Sequence, residues 1–187
     1  MTLAHSDSLR GWLSLRTHLR TETAQLHALV DNRFRSRLFQ SHDGYANFLT
    51  VSASAILPIE NALEAANVAA TFPDWAQRAR SSALQADLAA LSLPVPEATS
   101  TFEVRSKAAQ FGILYVLEGS RLGAKAILHA MEKAPSPIGR SAQRYLSHGI
   151  GQPFWQTFLT RLDASFEANR NADEVIEGAR STFRMFL

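Results

Sequence analysis

The sequence contains no cysteine among its 187 residues. Disulfide frameworks, thiolate metal sites and cysteine nucleophiles are therefore excluded. Long apolar runs are also missing, because the longest fall far short of the roughly 18 residues that suggest a membrane-spanning helix. The net charge is only +2 and the basic residues are scattered, which is atypical of nucleic-acid or membrane-surface binding. The first residues lack the apolar core of a signal peptide. We therefore expect a cytoplasmic protein without nucleic-acid or membrane partners.

The dominant pattern along the chain is helical. Hydrophobic residues make up 46% of the sequence, and no strand-like alternation persists. The pattern predicts one all-α domain over residues 1–187. The predicted helices run from about Ser8 to Asn32, Ser41 to Ala70 with a kink or break at Pro58, Pro73 to Leu91, Thr101 to Lys133, Ser141 to Leu146, Phe154 to Ala168 and Ala172 to Phe186.

The predicted helix that contains FGILYVLEGSRLGAKAILHAM holds three glycines, at Gly112, Gly119 and Gly123. Glycine within a helix costs about 0.5–1 kcal/mol relative to alanine. Spacings of seven and four residues place the three on one face. Two explanations stay open at this point. Either a second helix packs closely against the glycines, or a flat, rigid ligand lies on them.

A histidine and two arginines share a face of the first predicted helix. Arg20 and Arg16 lie seven and eleven residues before His27, which places both within about 20° of its face. This arrangement suits a ligand with one atom to coordinate and anionic groups along one edge, since arginine binds carboxylates in a planar fork. The alternative is a structural histidine beside solvated arginines.

Three segments together resemble the heme oxygenase family. LRTETAQLHALVD resembles its proximal-helix motif through Leu19, Arg20, Thr23 and His27. GILYVLEGSRLG resembles the distal helix of the bacterial branch associated with phytochrome photoreceptors, and YANFLTVSASAILPIENAL resembles the intervening helix. The resemblance implies a single-domain heme-oxygenase-like helical bundle.

The resemblance also implies an activity. The neutral imidazole of His27 binds heme iron, and dioxygen lies over Gly119 and Gly123. Oxidative cleavage of heme then yields biliverdin, carbon monoxide and ferrous iron. Heme is both substrate and cofactor, and the chain's own part is to orient it and to supply protons.

Further residues and partners follow from the same resemblance. Arg20 is the best candidate to anchor a propionate, Arg16 follows, and Arg161 is a weaker third. Tyr115 is expected to hydrogen-bond near the pocket. Electrons are expected from a separate reductase or ferredoxin, because the chain has no flavin or iron–sulfur motif. A bacteriophytochrome is a candidate receiver of the bilin.

The sequence departs from the common family pattern at two positions. Many members carry an aspartate where Ser120 stands, and a glycine where Ala124 stands. The serine agrees with the phytochrome-associated branch and implies that protons arrive through water and main-chain groups, with Ser120 itself as a candidate. Gly119, Ser120 and Gly123 form the expected catalytic group. The methyl group of Ala124 is expected to narrow the pocket or to change the bend of the helix.

Other functions remain as alternatives. A heme carrier or regulatory protein would keep the fold without turnover, and a helical interaction protein would bind no heme. A cysteine-dependent thiaminase-like enzyme is excluded by the missing cysteine. Carboxylate-bridged di-iron bundles use Glu-x-x-His pairs, and the sequence contains none. Ser120 lies in EGSRLG, which is not the nucleophile motif of a serine hydrolase.

Overall fold

The structure is a computed structural model that describes residues 14–35, 41–97, 101–133 and 140–187. All regular structure within these residues is helical, which confirms the predicted fold class. The helices are α1 (Leu15–Arg35), α2 (His42–Ala65), a 3-10 turn (Val68–Ala70), α3 (Trp75–Arg78), α4 (Ser81–Ala90), α5 (Lys107–Glu132), α6 (Arg144–Ser147), α7 (Phe154–Ala164), α8 (Phe166–Arg170) and α9 (Ala172–Arg184).

The first two helices differ from their predicted bounds. Helix α1 begins at Leu15, and its predicted start at Ser8 lies outside the described residues. Helix α2 begins after Ser41, whose hydroxyl oxygen accepts a hydrogen bond from the Gly44 N–H at 3.1 Å; such a cap satisfies an otherwise unpaired helix donor. The helix continues through Pro58. The predicted break at this proline was therefore wrong, and the alternative kink stays a prediction.

Side-chain caps divide two helices that the sequence predicted as continuous. The helix predicted from Pro73 to Leu91 is split into α3 and α4, because the carboxylate of Glu60 accepts the N–H groups of Arg80 and Ser81 at 2.9 Å each and caps α4 from a distant part of the chain. The helix predicted from Phe154 to Ala168 ends early at Ser165, whose hydroxyl oxygen accepts from the Ala168 N–H at 3.1 Å.

Two later helices also begin at capping side chains. The glycine-bearing helix α5 starts at Lys107 rather than Thr101, because the hydroxyl oxygen of Ser106 accepts from the N–H of Ala109 at 3.1 Å. Helix α6 begins at Arg144, three residues later than predicted. The N–H groups of Arg144 and Tyr145 donate hydrogen bonds to the buried carboxylate of Asp87 at 3.0 Å and 2.8 Å. Non-local carboxylates therefore set the starts of two helices, α4 and α6.

Helix α5 lies at the centre of the packing and contacts α9 most extensively. Two glycines make this close approach possible. A Cβ atom added to Gly112 would lie 1.8 Å from the carbonyl oxygen of Val175, and one added to Gly178 would lie 2.5 Å from that of Ala109. Each glycine thus admits the backbone of the other helix.

Helices α7 and α9 both pack against α1 and against α5. They connect the helix that carries His27 to the helix that carries the glycines. Buried aromatic rings fill the space behind them: Phe72 lies 5.2 Å from Phe111 and 6.2 Å from Phe158 between ring centroids. This core fixes α5 and α7 relative to each other.

Candidate functional site

The two arginines of α1 lie beside a tyrosine of α5. The guanidinium of Arg16 lies 6.0 Å from the ring centroid of Trp155, and that ring is 5.7 Å from the ring of Tyr115. Burial raises the pKa of Tyr115, and the positive charges of Arg16 and Arg20 act in the opposite direction. The structure therefore brings Arg16, Arg20 and Tyr115 together, as a site for anionic groups requires.

His27 lies on the accessible side of α1. Its side chain is 62% exposed, and its Nδ1 lies 3.3 Å from a carboxylate oxygen of Asp31. The ring also meets the edge of Phe183 at 5.8 Å between centroids. A carboxylate oxygen this close to Nδ1 favours the tautomer that carries its proton on Nδ1, which leaves the Nε2 lone pair free for a metal. His27 is thus accessible to a ligand, and its role as the iron ligand rather than a structural histidine stays a prediction.

The three glycines of α5 share a face but have different surroundings. Gly112 is packed against the backbone of α9, as described above. A Cβ atom on Gly119 would lie 3.6 Å from the Trp155 ring, an ordinary contact distance, and one on Gly123 would have nothing within 4 Å. Gly112 therefore serves helix packing, whereas Gly119 lies against the Trp155 ring and Gly123 faces open space beside the helix.

Ser120 is held by a buried arginine. The hydroxyl group of Ser120 donates to the carbonyl oxygen of Leu117 at 2.7 Å and accepts from the guanidinium of Arg80 at 3.0 Å. Arg80 donates to the same carbonyl at 3.0 Å and is only 2% exposed. A serine hydroxyl has one proton, and here that proton is directed at the main chain. In this arrangement Ser120 has no proton to donate towards the open side of the helix.

Ala124 is buried in the hydrophobic core, whereas Gly123 before it is open. The methyl group of Ala124 therefore points away from the open strip. One residue of helix turns the side chain by about 100°. The expected effect of this methyl group on the pocket or on the bend of the helix stays a prediction.

Arg161 is already paired. Its guanidinium lies 2.7 Å from the carboxylate of Asp74 and 5.5 Å from the ring centroid of Phe72. Although burial alone would raise the pKa of Asp74, the hydrogen bond and charge of Arg78 and the charge of Arg161 lower it. The structure does not bring Arg161 into contact with Arg16 or Tyr115, and its role as a propionate anchor stays a prediction.

Behind the distal face of α5 lies a buried group of charges. Glu118 is 1% exposed and pairs with Arg78 at 3.2 Å and with Arg121 at 2.8 Å. Arg121 also donates to Nδ1 of His148 at 3.2 Å. Burial and the charges of Arg121 and Arg80 lower the pKa of His148. This group fixes the middle of α5 to the turn before α7.

Comparison with known proteins decides the family. The heme oxygenase family model matches residues 13–187. The chain belongs to the heme oxygenase family. It is 31% identical over 191 residues to heme oxygenase PigA of Pseudomonas aeruginosa, covering 99% of this chain and 94% of that protein. It is 28% identical over 144 residues to a heme oxygenase of Xanthomonas campestris pv. campestris, covering 77% and 87% respectively.

The fold also matches a solved heme oxygenase. The structure of the Neisseria meningitidis enzyme, determined with NO and CO bound, superimposes with a TM-score of 0.78 at 25% identity, covering 93% of this chain and 88% of that one. The predicted family, helical fold and enzyme class are thereby confirmed, with heme as the substrate. Assignment to the phytochrome-associated branch stays a prediction.

Three residues near the candidate site of this heme oxygenase were not predicted from the sequence. Asp31 follows His27 by four residues, so an acidic residue one helical turn on could have been found by its spacing. Arg80, the residue before α4, and Trp155 of α7 also reach the site. No local pattern around them indicates this, because their positions depend on the tertiary packing.

Two other features lie apart from this site. A cavity of about 840 Å³ opens between α2, α4 and residues 95–97 and 101–102, and none of the predicted heme-binding residues lines it. Within the part of the chain that the structure describes, no helix is long and apolar enough to cross a membrane.

Proposed function

We propose that this heme oxygenase cleaves heme to biliverdin, carbon monoxide and ferrous iron, using dioxygen and electrons from a separate protein. The observation that supports it best is the accessible imidazole of His27, whose Nδ1 is engaged by Asp31, on the same helix as the arginines beside Tyr115. The imidazole nitrogen of His27 suits the iron of heme, and the guanidinium groups of Arg16 and Arg20 suit its propionates.

Each residue then has a defined role. His27 binds the iron through Nε2, and Asp31 holds the ring in the required tautomer. Arg20 and Arg16 bind the propionates, with Tyr115 as a further hydrogen-bond partner. We place Arg161 behind these two, because Asp74 already binds its guanidinium.

The distal side keeps one face of the substrate open. Gly119 and Gly123 leave space for dioxygen, since a side chain at Gly123 would project into the open region and one at Gly119 would fill the space up to the Trp155 ring. Bound heme supplies the oxygen chemistry. Ser120 accepts from Arg80 and so orders the helix, and the protons come from water and main-chain groups. Ser120 is thus a positioning residue in this proposal.

Partners and location complete the proposal. The sequence has no cysteine for an iron–sulfur cluster, and we therefore propose a reductase or ferredoxin as the external electron donor. A bacteriophytochrome is the proposed receiver of the bilin. We further propose that residues 1–187 form one heme-oxygenase-like domain in the cytoplasm.

The test is single turnover with hemin. Purified protein is mixed with hemin, then with ascorbate in air, and the absorbance spectrum is followed. The proposal expects the Soret band to disappear while a biliverdin band grows, with the product identified by chromatography. A Soret band that persists under reduction would contradict turnover and support a heme carrier. No Soret shift on hemin addition would support a structural interaction protein.

A matched pair of variants tests the iron ligand. His27→Ala should abolish the histidine-ligated spectrum of the ferric complex. His129→Ala is the control, because His129 is similarly exposed at 66% and also lies near a carboxylate, that of Glu132, at 3.7 Å. An unchanged spectrum in His27→Ala, or an equal loss in both variants, would overturn the ligand assignment.

A further inference from the structure

Trp155, in the first turn of α7, contacts both helices of the proposed heme site. Its ring lies under the guanidinium of Arg16 from α1 at 6.0 Å. Its Cζ3 and Cη2 atoms lie 3.6 Å and 3.8 Å from the position that a Cβ atom of Gly119 on α5 would occupy. One indole thus lies next to both Arg16 and Gly119.

The indole is firmly supported from behind. Phe158 stacks on it at 5.6 Å between centroids, and Tyr115 packs beside it at 5.7 Å. The carbonyl oxygen of Phe154, the preceding residue, accepts from the buried guanidinium of Arg78 at 3.0 Å. A side chain held on several sides is a rigid steric boundary.

A single histidine ligand leaves heme free to rotate about the bond from iron to nitrogen. The meso carbon that lies beneath dioxygen depends on where this rotation stops. Contacts at the heme edge must therefore set the product, and two kinds are available: charged anchors for the propionates and a wall for the macrocycle.

We propose that Trp155 sets the in-plane orientation of heme, and so determines which meso carbon is cleaved. The indole acts as the wall beside Gly119, and it also holds the Arg16 guanidinium over its face, where a cation is attracted by the ring. Trp155 is therefore a positioning residue for regioselectivity. This inference rests on the proposed function.

The experiment compares biliverdin isomers from hemin and ascorbate, separated by chromatography, for the wild type, Trp155→Ala and Trp155→Phe. We expect Trp155→Ala to change the isomer ratio by about tenfold, equivalent to about 1.4 kcal/mol. Trp155→Phe should change it less, since phenylalanine keeps an aromatic face. Trp75→Phe is the matched control, because Trp75 is a buried tryptophan away from the site that bonds Glu64 through its Nε1 at 3.3 Å, and it should keep the wild-type ratio.

A merely structural role would lower the unfolding midpoint of the Trp155 variants and leave the isomer ratio unchanged, which would overturn the inference. Trp155→Phe keeps the test decisive if the alanine variant does not fold. Heme-methyl NMR shifts of the cyanide-bound ferric complexes report the orientation without turnover. If the wild type binds heme but forms no biliverdin, the proposed function fails, while identical heme-methyl shifts in wild type and Trp155→Phe would separately reject the role of Trp155.

Discussion

Replacing Gly112 by alanine would place a methyl group 1.8 Å from the carbonyl oxygen of Val175 and 2.7 Å from the main-chain nitrogen of Ala179. Both atoms belong to the backbone of α9, so that no side-chain rotation can relieve the overlap. Overpacking a core costs about 1–3 kcal/mol, and we take the upper value because a whole helix must shift.

Alanine also favours the helical state over glycine by about 1 kcal/mol. The net loss for Gly112→Ala is then about 2 kcal/mol, which corresponds to a fall of about 4–8 °C in the melting temperature for a chain of this size.

The other glycines of α5 provide internal controls. Gly123→Ala meets nothing within 4 Å, so helix propensity alone should raise stability by about 0.5–1 kcal/mol. Gly119→Ala would contact the Trp155 ring at an ordinary 3.6 Å, and it should be neutral or slightly stabilising. If helix propensity alone mattered, all three alanine variants would gain stability. We instead expect Gly112→Ala to lose stability while Gly123→Ala gains it.

Urea unfolding of heme-free protein, followed by far-UV circular dichroism, measures this ranking. Hemin titration and carbon monoxide binding to the reduced complex measure the site. Gly112→Ala should lose stability and keep the hemin affinity of the folded fraction, whereas Gly123→Leu should impair carbon monoxide binding. If Gly112→Ala is as stable as Gly123→Ala, the packing argument fails; if Gly123→Leu binds carbon monoxide as the wild type does, the open strip is not the ligand face.

Three further predictions concern charged groups. Arg20→Ala should weaken hemin binding by about tenfold, since a charge-assisted hydrogen bond contributes about 1.5–3 kcal/mol and is partly replaced by water; equal affinities on titration would remove Arg20 from the site. Arg80→Met should lower the free energy of unfolding by about 2 kcal/mol, because it removes buried hydrogen bonds to Ser120 and to a main-chain carbonyl; unchanged urea unfolding would contradict this. The unfolded chain binds a proton at His148 near pH 6.5, whereas burial and neighbouring arginines lower the pKa of the folded state. Stability should therefore fall as the pH drops from about 6.5 to that lower pKa, and His148→Gln should lose less stability between pH 7.5 and pH 5.5.

The sequence alone predicted the helical class and the shared face of His27, Arg20 and Arg16, because both depend on the local period of a helix. The hydroxyl cap at Ser165 is also local, and a helix start at this serine could have been predicted from the sequence. The start of α4 could not, since the capping carboxylate of Glu60 comes from twenty residues earlier in the sequence. The local sequence pattern predicts which residues share one face of a helix. It does not predict which distant side chain caps that helix.

The candidate site shows the same division. Spacing could not separate helix packing from ligand contact among the glycines, because Gly112 and Gly123 differ only in what lies opposite them. The hydrogen bonds of Ser120 likewise depend on Arg80, forty residues earlier. Only tertiary contacts assign these residues their different roles.

The buried guanidinium groups make the two sides of the site unequal in stiffness. Arg80 and Arg121 donate to main-chain carbonyls of Leu117 and Arg78 at 3.0 Å and 2.6 Å, locking α5 to its neighbours away from solvent. Helix α1 is tied to α9 through Arg180 and Glu22, whose side chains are each 35% exposed. Water competes with such an exposed ion pair, so that the amide hydrogens of α1 should exchange sooner than those of α5. We therefore expect α1 to move more than α5 when the planar heme enters.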